Sequence, residues 1–146
     1  MTTVLAASDI AAKIQTCVPD SIIEAGENTL MVKPETITAT ITCLKTTPGL
    51  DFDYLTSLTA VDYWDYFEIV YQLVSITHNH SLVVKTRCQG REDPSLPSVI
   101  SIYKAADFQE REIFDLFGIR FDGHPNMKRI FLWEGFQGYP LRRDYL

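Results

Sequence analysis

The stretch YFEIVYQLVSIT, residues 66–77, decides the fold. Phe67, Ile69, Tyr71 and Leu73 line one side of an extended segment while Val70, Val74 and Ile76 line the other, which is the pattern of a central strand covered on both faces. Two more β-branched and aromatic runs flank it, YLTSLTAVDY at 54–63 and SLVVKTRC at 81–88, with turn residues between them. The HNH at 78–80 could be taken for a metal-binding pair. A hairpin must reverse there, however, and Asn79 tolerates positive φ, so we read it as a turn. Three such strands need helices over them, and the expected class is α+β: a mixed β-sheet covered by helices.

Upstream of the strands, Ser8 or Asp9 can cap a short helix that carries Ile10, Ile14 and Cys17 at helical spacing, and Pro19 ends it. SIIEAGENTLMV, 21–32, reads as a hairpin turning at Gly26 to Asn28. Pro34 suits the first turn of a second helix running to about Lys45, although its threonines and isoleucines are poor helix formers, and Pro48-Gly49 stops it. Downstream, GREDPSLP at 90–97 is a polar, proline-bearing loop. SVISIY and AADFQEREIFDLF then read as two helical segments broken near Lys104-Ala105. Past Gly118, placed like a helix C-terminal glycine, periodicity fades and a turn-rich arm begins. The expected organisation is an α+β domain over 1–118 and a C-terminal arm over 119–146.

Bulk properties narrow the function. A net charge of −6, without a basic stripe, argues against nucleic acid. The N-terminus has no basic region ahead of its apolar stretch and does not read as a signal peptide, and no apolar run reaches the length of a membrane span. Cys17, Cys43 and Cys88 lack any CxxC spacing and read as reduced thiols filling the core. Gly135 and Gly138 in GFQGYP lack the spacing and context of a dinucleotide loop and are assigned to turns.

The charged helix QEREIFDLF carries the functional question. At about 100° per residue, Ile113, Phe114, Leu116 and Phe117 share one arc while Arg111, Glu112 and Asp115 fall opposite. Glu110 lands inside the apolar arc, so it is expected to be buried and to need a partner, with Arg129, Arg142 and Arg143 as candidates. Arg111 stands at i, i+4 from Asp115 and could pair with it. Glu112 and Asp115, with His124 before Pro125, could instead form an acid/base or metal site. The outward face is thus an internal salt-bridge surface, a partner-facing surface or a site of chemistry. Five of the thirteen basic residues lie from Arg120 onward, interleaved with Ile130, Phe131, Trp133, Phe136 and Tyr139. That composition suits an arm that wraps a partner, or a tail packed on its own sheet.

These residues carry a resemblance. Glu110-Arg111-Glu112, Asp115, Phe117-Gly118-Ile119, Gly123-His124-Pro125, Arg129 and the closing Gly138, Pro140, Leu141, Arg142, Arg143, Asp144, Tyr145 run resemble the signature of the C subunit (30-kDa or J-type hydrophilic subunit) of respiratory complex I, NADH:quinone oxidoreductase. LTAVDY and FEIVYQLVSIT also resemble that family's strands. Tyr139 stands where the family often has His. The resemblance implies a peripheral-arm subunit of a proton-translocating enzyme, on the cytoplasmic side of the inner or plasma membrane and associated with it only through the complex. It implies no catalytic, metal or cofactor residue in this chain, since the complex carries its FMN and iron–sulfur clusters elsewhere. The implied partners are the hydrogenase-like D subunit, which helps form the quinone site, and neighbouring iron–sulfur subunits. Two alternatives stand beside it: the equivalent subunit of a membrane-bound energy-converting hydrogenase, and a small stand-alone metal-dependent enzyme.

Overall fold

The computed structural model describes residues 3–4 and 6–145, with side chains from Ala6 onward; residues 1, 2, 5 and 146 lie outside the described residues. After a two-residue strand β1 (Thr3–Val4), the helix α1 (Ala7–Cys17) leads to the hairpin of β2 (Ile22–Ala25) and β3 (Thr29–Val32). A 3₁₀ turn at Pro34–Thr36 opens α2 (Ile37–Thr46). Three long strands follow: β4 (Tyr54–Asp62), β5 (Tyr66–Ser75) and β6 (His80–Gln89). Short β7 (Ser95–Pro97), α3 (Ala106–Phe117) and short β8 (Arg120–Asp122) complete the order.

The main sheet runs β2-β3-β6-β5-β4, with β1 parallel to β6 beside it. It is mixed: β3 and β6 are parallel, and the other neighbours along that path are antiparallel. The α+β class read from the sequence is therefore the observed one. Phe67, Ile69, Tyr71 and Leu73 are fully buried, and with Leu82, Val84, Leu30, Val32, Leu55 and Leu58 they make the sheet's share of the core. Ile10 and Ile14 of α1, Ile37, Ile41 and Leu44 of α2, and Ile113 and Phe117 of α3 supply the rest. Burial of that order, about 1.5–3 kcal/mol for each large side chain, explains why α2 forms despite its composition. Its Thr42 and Thr46 hydroxyls donate back to the carbonyls of Thr38 and Thr42 at 2.8 Å, so they do not compete with the helix for its N–H groups.

Four local readings are corrected. The second face of β5 is largely open: Gln72 is exposed, Val70 and Val74 are half-buried, Ile76 beyond the strand end is 68% exposed, and Glu68, beside Arg87, is buried. The helices thus serve one face only. SVISIY is a single turn closed by Ile102 and Tyr103 N–H on the Val99 carbonyl, not a helix. The GREDPSLP loop contains β7, which pairs in parallel with β8. Finally, α1 starts after Ala6 with no side-chain cap, Asp9 sits in its first turn, and Cys17 at its end is exposed, so of the three cysteines only Cys43 and Cys88 are core.

Candidate functional site

The α3 helix carries two fully buried acids, each satisfied by a different neighbour. Glu110 is buried as its projected position requires, but its partner is not an arginine. Ser98 Oγ donates to Oε1 at 2.5 Å and the Val99 N–H donates to Oε2 at 2.9 Å. Its carboxyl therefore fixes the turn that follows β7. Burial pushes the Glu110 carboxyl up, and the two hydrogen bonds only partly oppose it.

Asp115 overturns the outward assignment. Its side chain has no exposed surface, and its partner is Arg129, 2.8 Å away. Oδ2 also accepts the N–H groups of Ile130, Phe131 and Leu132 at 3.2, 2.7 and 3.0 Å. Burial alone would raise this carboxyl; Arg129 and the three N–H donors outweigh it and hold it below the usual carboxylate range. Arg111 does not pair with Asp115. Its guanidinium donates to the Lys128 and Arg129 carbonyls, both at 3.1 Å. Of the expected outer triad only Glu112 is exposed. The cause is tertiary: residues 128–132 fold over that side of α3, so the helix is buried on two sides and a single apolar arc could not report the second.

The tail closes over the same end of the domain. Arg129 also donates to the carbonyls of Phe136 and Gly138. The Leu141 N–H reaches the Leu116 carbonyl. Arg142 donates to the carbonyls of Phe117 at 2.5 Å and Arg91 at 3.0 Å, and burial pulls its pKa down. Asp62, buried at the end of β4, takes both ends of the Arg91 guanidinium at 2.7 Å and the Arg143 N–H at 2.8 Å, while Asp144 meets Arg91 at 3.2 Å. The Arg91 guanidinium beside it holds the Asp62 carboxyl far below the usual range. Three guanidiniums alternate with aromatic rings through this region. Arg91 lies between Trp64 and Phe67, Arg142 between Phe67 and Tyr139, and Arg129 between Tyr139 and Phe136, at 4.9–5.5 Å from the ring centres.

Gly118 is required twice over. Its φ is +78° at the end of α3, and a Cβ there would stand 2.7 Å from the Tyr139 ring and 2.8 Å from an Arg142 nitrogen. His124 Nδ1 accepts the Asn126 N–H, and Nε2 faces Asp107 Oδ1 at 3.0 Å and the Asp107 carbonyl at 3.2 Å, so both ring nitrogens are engaged beside Pro125. Glu112, Asp115 and His124 do not converge: Asp115 is enclosed by the arm, and His124 is engaged with Asp107. Among the described residues no group of three or more His, Cys, Asp or Glu is placed to hold a metal ion. The HNH segment is the expected turn, with Asn79 at φ +55°, His78 on Asp51 and His80 buried on the Leu50 carbonyl.

The partners of the acids follow from sequence only in part. Nothing in the spacing ties Asp62 to Arg91, 29 residues away in a loop, or Ser98 to Glu110. One consequence is directly measurable. Glu110→Ala leaves the Val99 N–H and the Ser98 hydroxyl buried without their acceptor, and is expected to cost about 1–3 kcal/mol. Glu112→Ala is expected to leave the melting temperature unchanged, and Glu110→Gln, whose carbonyl can keep the Val99 N–H while its amide donates to Ser98 Oγ in a reversed bond, to fall between. Equal melting temperatures for the two alanine variants would refute the assignment.

Fold and site together define a mixed-sheet α+β domain whose charged C-terminal signature is strapped onto one helix. The chain belongs to the family described as the respiratory-chain NADH dehydrogenase 30 Kd subunit, matched over residues 30–146. It is 40% identical over 152 residues to the C subunit of NADH-quinone oxidoreductase from Dinoroseobacter shibae, covering 99% of this chain and 70% of that one. It is 40% identical over 117 residues to the second C-type subunit of the same enzyme from Rhizobium meliloti, covering 78% of this chain and 63% of that one. It is also 48% identical over 103 residues to the C/D subunit of NADH-quinone oxidoreductase from Phocaeicola vulgatus, covering 70% of this chain and 20% of that polypeptide. Among solved structures, a chain of the membrane-bound sulfane sulfur reductase, an archaeal respiratory membrane complex, superposes with a TM-score of 0.76 at 27% identity, covering 94% of this chain and 84% of that one.

Proposed function

We propose that this chain acts as the C subunit of a proton-translocating NADH:quinone oxidoreductase, binding no flavin, iron–sulfur cluster or metal of its own and supporting electron transfer to quinone by docking on the D subunit and its iron–sulfur neighbours. The carrying observation is the similarity to the C/D polypeptide of Phocaeicola vulgatus. Where both segments share one chain, each is held at high effective concentration beside the other, which favours a standing contact between them. The geometry supplies a surface for it. Phe131 and Trp133 are 64% and 69% exposed, yet their stretch of backbone is fixed to Asp115. Rigid aromatic anchors lose little freedom on binding, and such residues dominate interface energetics. On this reading Arg111, Asp115, Gly118, Arg129 and the Pro140 to Asp144 run shape the platform from beneath, while Glu112 faces the partner. No helix among the described residues is long and apolar enough to cross a membrane, so attachment to the cytoplasmic face would come through the complex.

A second reading draws on the sulfane sulfur reductase superposition: the equivalent subunit of a related membrane-bound complex, such as an energy-converting hydrogenase, with another electron donor. Affinity purification from cells making the intact complex, followed by mass spectrometry, separates the two by the donor-side subunits recovered. A D-type subunit is expected with the wild type. Replacing Phe131 and Trp133 with Ser is expected to lower its recovery by at least about tenfold without changing the melting temperature. Recovery of no D-like, cluster-bearing or membrane-arm protein with the wild type would refute the proposal.

A further inference from the structure

Two of the three cysteines meet where α1 packs on α2. Cys17 is exposed, with its Sγ 3.9 Å from Thr47 Oγ1. Cys43 is 5% exposed, with its Sγ 3.4 Å from the same hydroxyl. One hydroxyl within reach of both sulfurs sets the thiols side by side. They also sense each other: burial first, then the hydrogen bond with Cys17, pushes the Cys43 thiol up, while the bond from Thr47 pulls it down. Cys88 is a built-in control. It is 3% exposed, engaged with the Ser95 carbonyl at 3.7 Å, and burial pushes its thiol up to about 11. The chain therefore holds an accessible thiol, a shielded thiol beside it and a bystander. The docking region on α3 uses none of them.

We propose that Cys17 and Cys43 are a redox-responsive dithiol that closes to a disulfide between α1 and α2 when the protein meets a small-molecule disulfide. The Cys17 thiolate, the only one solvent can reach, attacks one sulfur of the oxidant and expels the other as a thiolate, leaving a mixed disulfide. The Cys43 thiolate then attacks the Cys17 sulfur and expels the second small thiolate. The two protein thiols lose two electrons and two protons, and the oxidant gains them as two thiols. Thr47 positions both sulfurs, and its bond to Cys43 opposes the burial that pushes that thiol up, which favours the thiolate the second step needs. The closed bond spans residues 17–43, ties the N-terminal helix to the core and locks the intervening β2–β3 hairpin, so it links the redox state to the rigidity of that end of the domain.

The test uses the full chain at about pH 8, where thiol–disulfide exchange is rapid, with glutathione disulfide as the probe. Thiols are counted by alkylation in denaturant and mass spectrometry, followed by peptide mapping. Free thiols are expected to fall from three to one, with Cys17 joined to Cys43 and Cys88 spared, and the melting temperature to rise by several degrees and return on reduction. Cys43→Ala is expected to stop at a mixed disulfide on Cys17. Cys17→Ala is expected to keep both remaining thiols unmodified in the folded state. A wild type that retains the mixed disulfide on Cys17, or that pairs Cys17 between molecules while Cys43 stays free, would overturn the proposal; so would modification of Cys88 ahead of Cys43.

Discussion

Asp115→Ala is expected to remove about 3–5 kcal/mol of stability and to release the C-terminal arm from α3. The magnitude follows from what the substitution leaves behind. Arg129 is only 12% exposed and would keep its charge without its anion. Ile130, Phe131 and Leu132 would lose the shared acceptor of their N–H groups. The carbonyls of Phe136 and Gly138, which Arg129 now holds, would lose the anchor of their donor as well. Asp115→Asn keeps the shape and one carbonyl oxygen but not the charge, so it is expected to cost less than Ala. Denaturant unfolding gives the free energies, and hydrogen exchange gives the location: protection at Ile130 to Leu132 should fall first. A loss below about 1 kcal/mol, the value of an exposed pair, would mean that Asp115 does not hold the arm. The same variant bears on docking, because Phe131 and Trp133 are presented by the backbone that Asp115 fixes.

Much of the fold is legible in the sequence because its signals are local. Alternation marks β5, β-branched and aromatic runs mark β4 and β6, Gly26 to Asn28 mark the hairpin turn, Pro34 opens α2 and Gly118 closes α3. What escapes has a common physical origin. Strands β7 and β8 are three residues each and include Pro97, so no period can announce them, and they exist because each pairs with the other across 25 residues of chain. The site divides in the same way. The burial of Glu110 is readable from its own helix, since it depends only on which residues share its arc. Its partners are not, because Ser98 and Val99 compete with the arginines and win by proximity. Asp115 is misread for the complementary reason: the segment covering it comes from beyond the helix and has no periodicity of its own. Composition singles out Arg129, Arg142 and Arg143 as a group. Their separate tasks, one on Asp115, one on carbonyls and one offering its backbone N–H to Asp62, are set by three-dimensional placement alone.

The other large effect is expected at Asp62, and it should depend on pH. Asp62 and Asp115 both have carboxyls held below the unfolded value of about 3.9, Asp62 chiefly by Arg91. A group of this kind stabilises the fold fully above its unfolded pKa and ceases to do so as pH falls through the folded one. Glu110 has the opposite sign. Its folded pKa is raised, so its contribution is complete below about 4.3 and is lost as pH rises through the folded value. Asp62→Asn removes one acid-side term, leaves Arg91 with the exposed Asp144 as its one carboxylate partner among the described residues, and weakens the acceptor for the Arg143 and Trp64 N–H groups. Its cost is expected to be roughly 2–4 kcal/mol near neutrality. Below about pH 4 the wild type progressively forfeits the same term, so the two stabilities should converge. Glu110→Gln should act on the other limb: its deficit against the wild type should shrink as pH climbs above the unfolded value of about 4.3 and stay constant on the acid side. Urea unfolding of the three proteins at about pH 3, 5 and 7 distinguishes these shapes. A gap between wild type and Asp62→Asn that stays constant across that range would show that the Arg91 clamp contributes packing alone, with no charge stabilisation at Asp62.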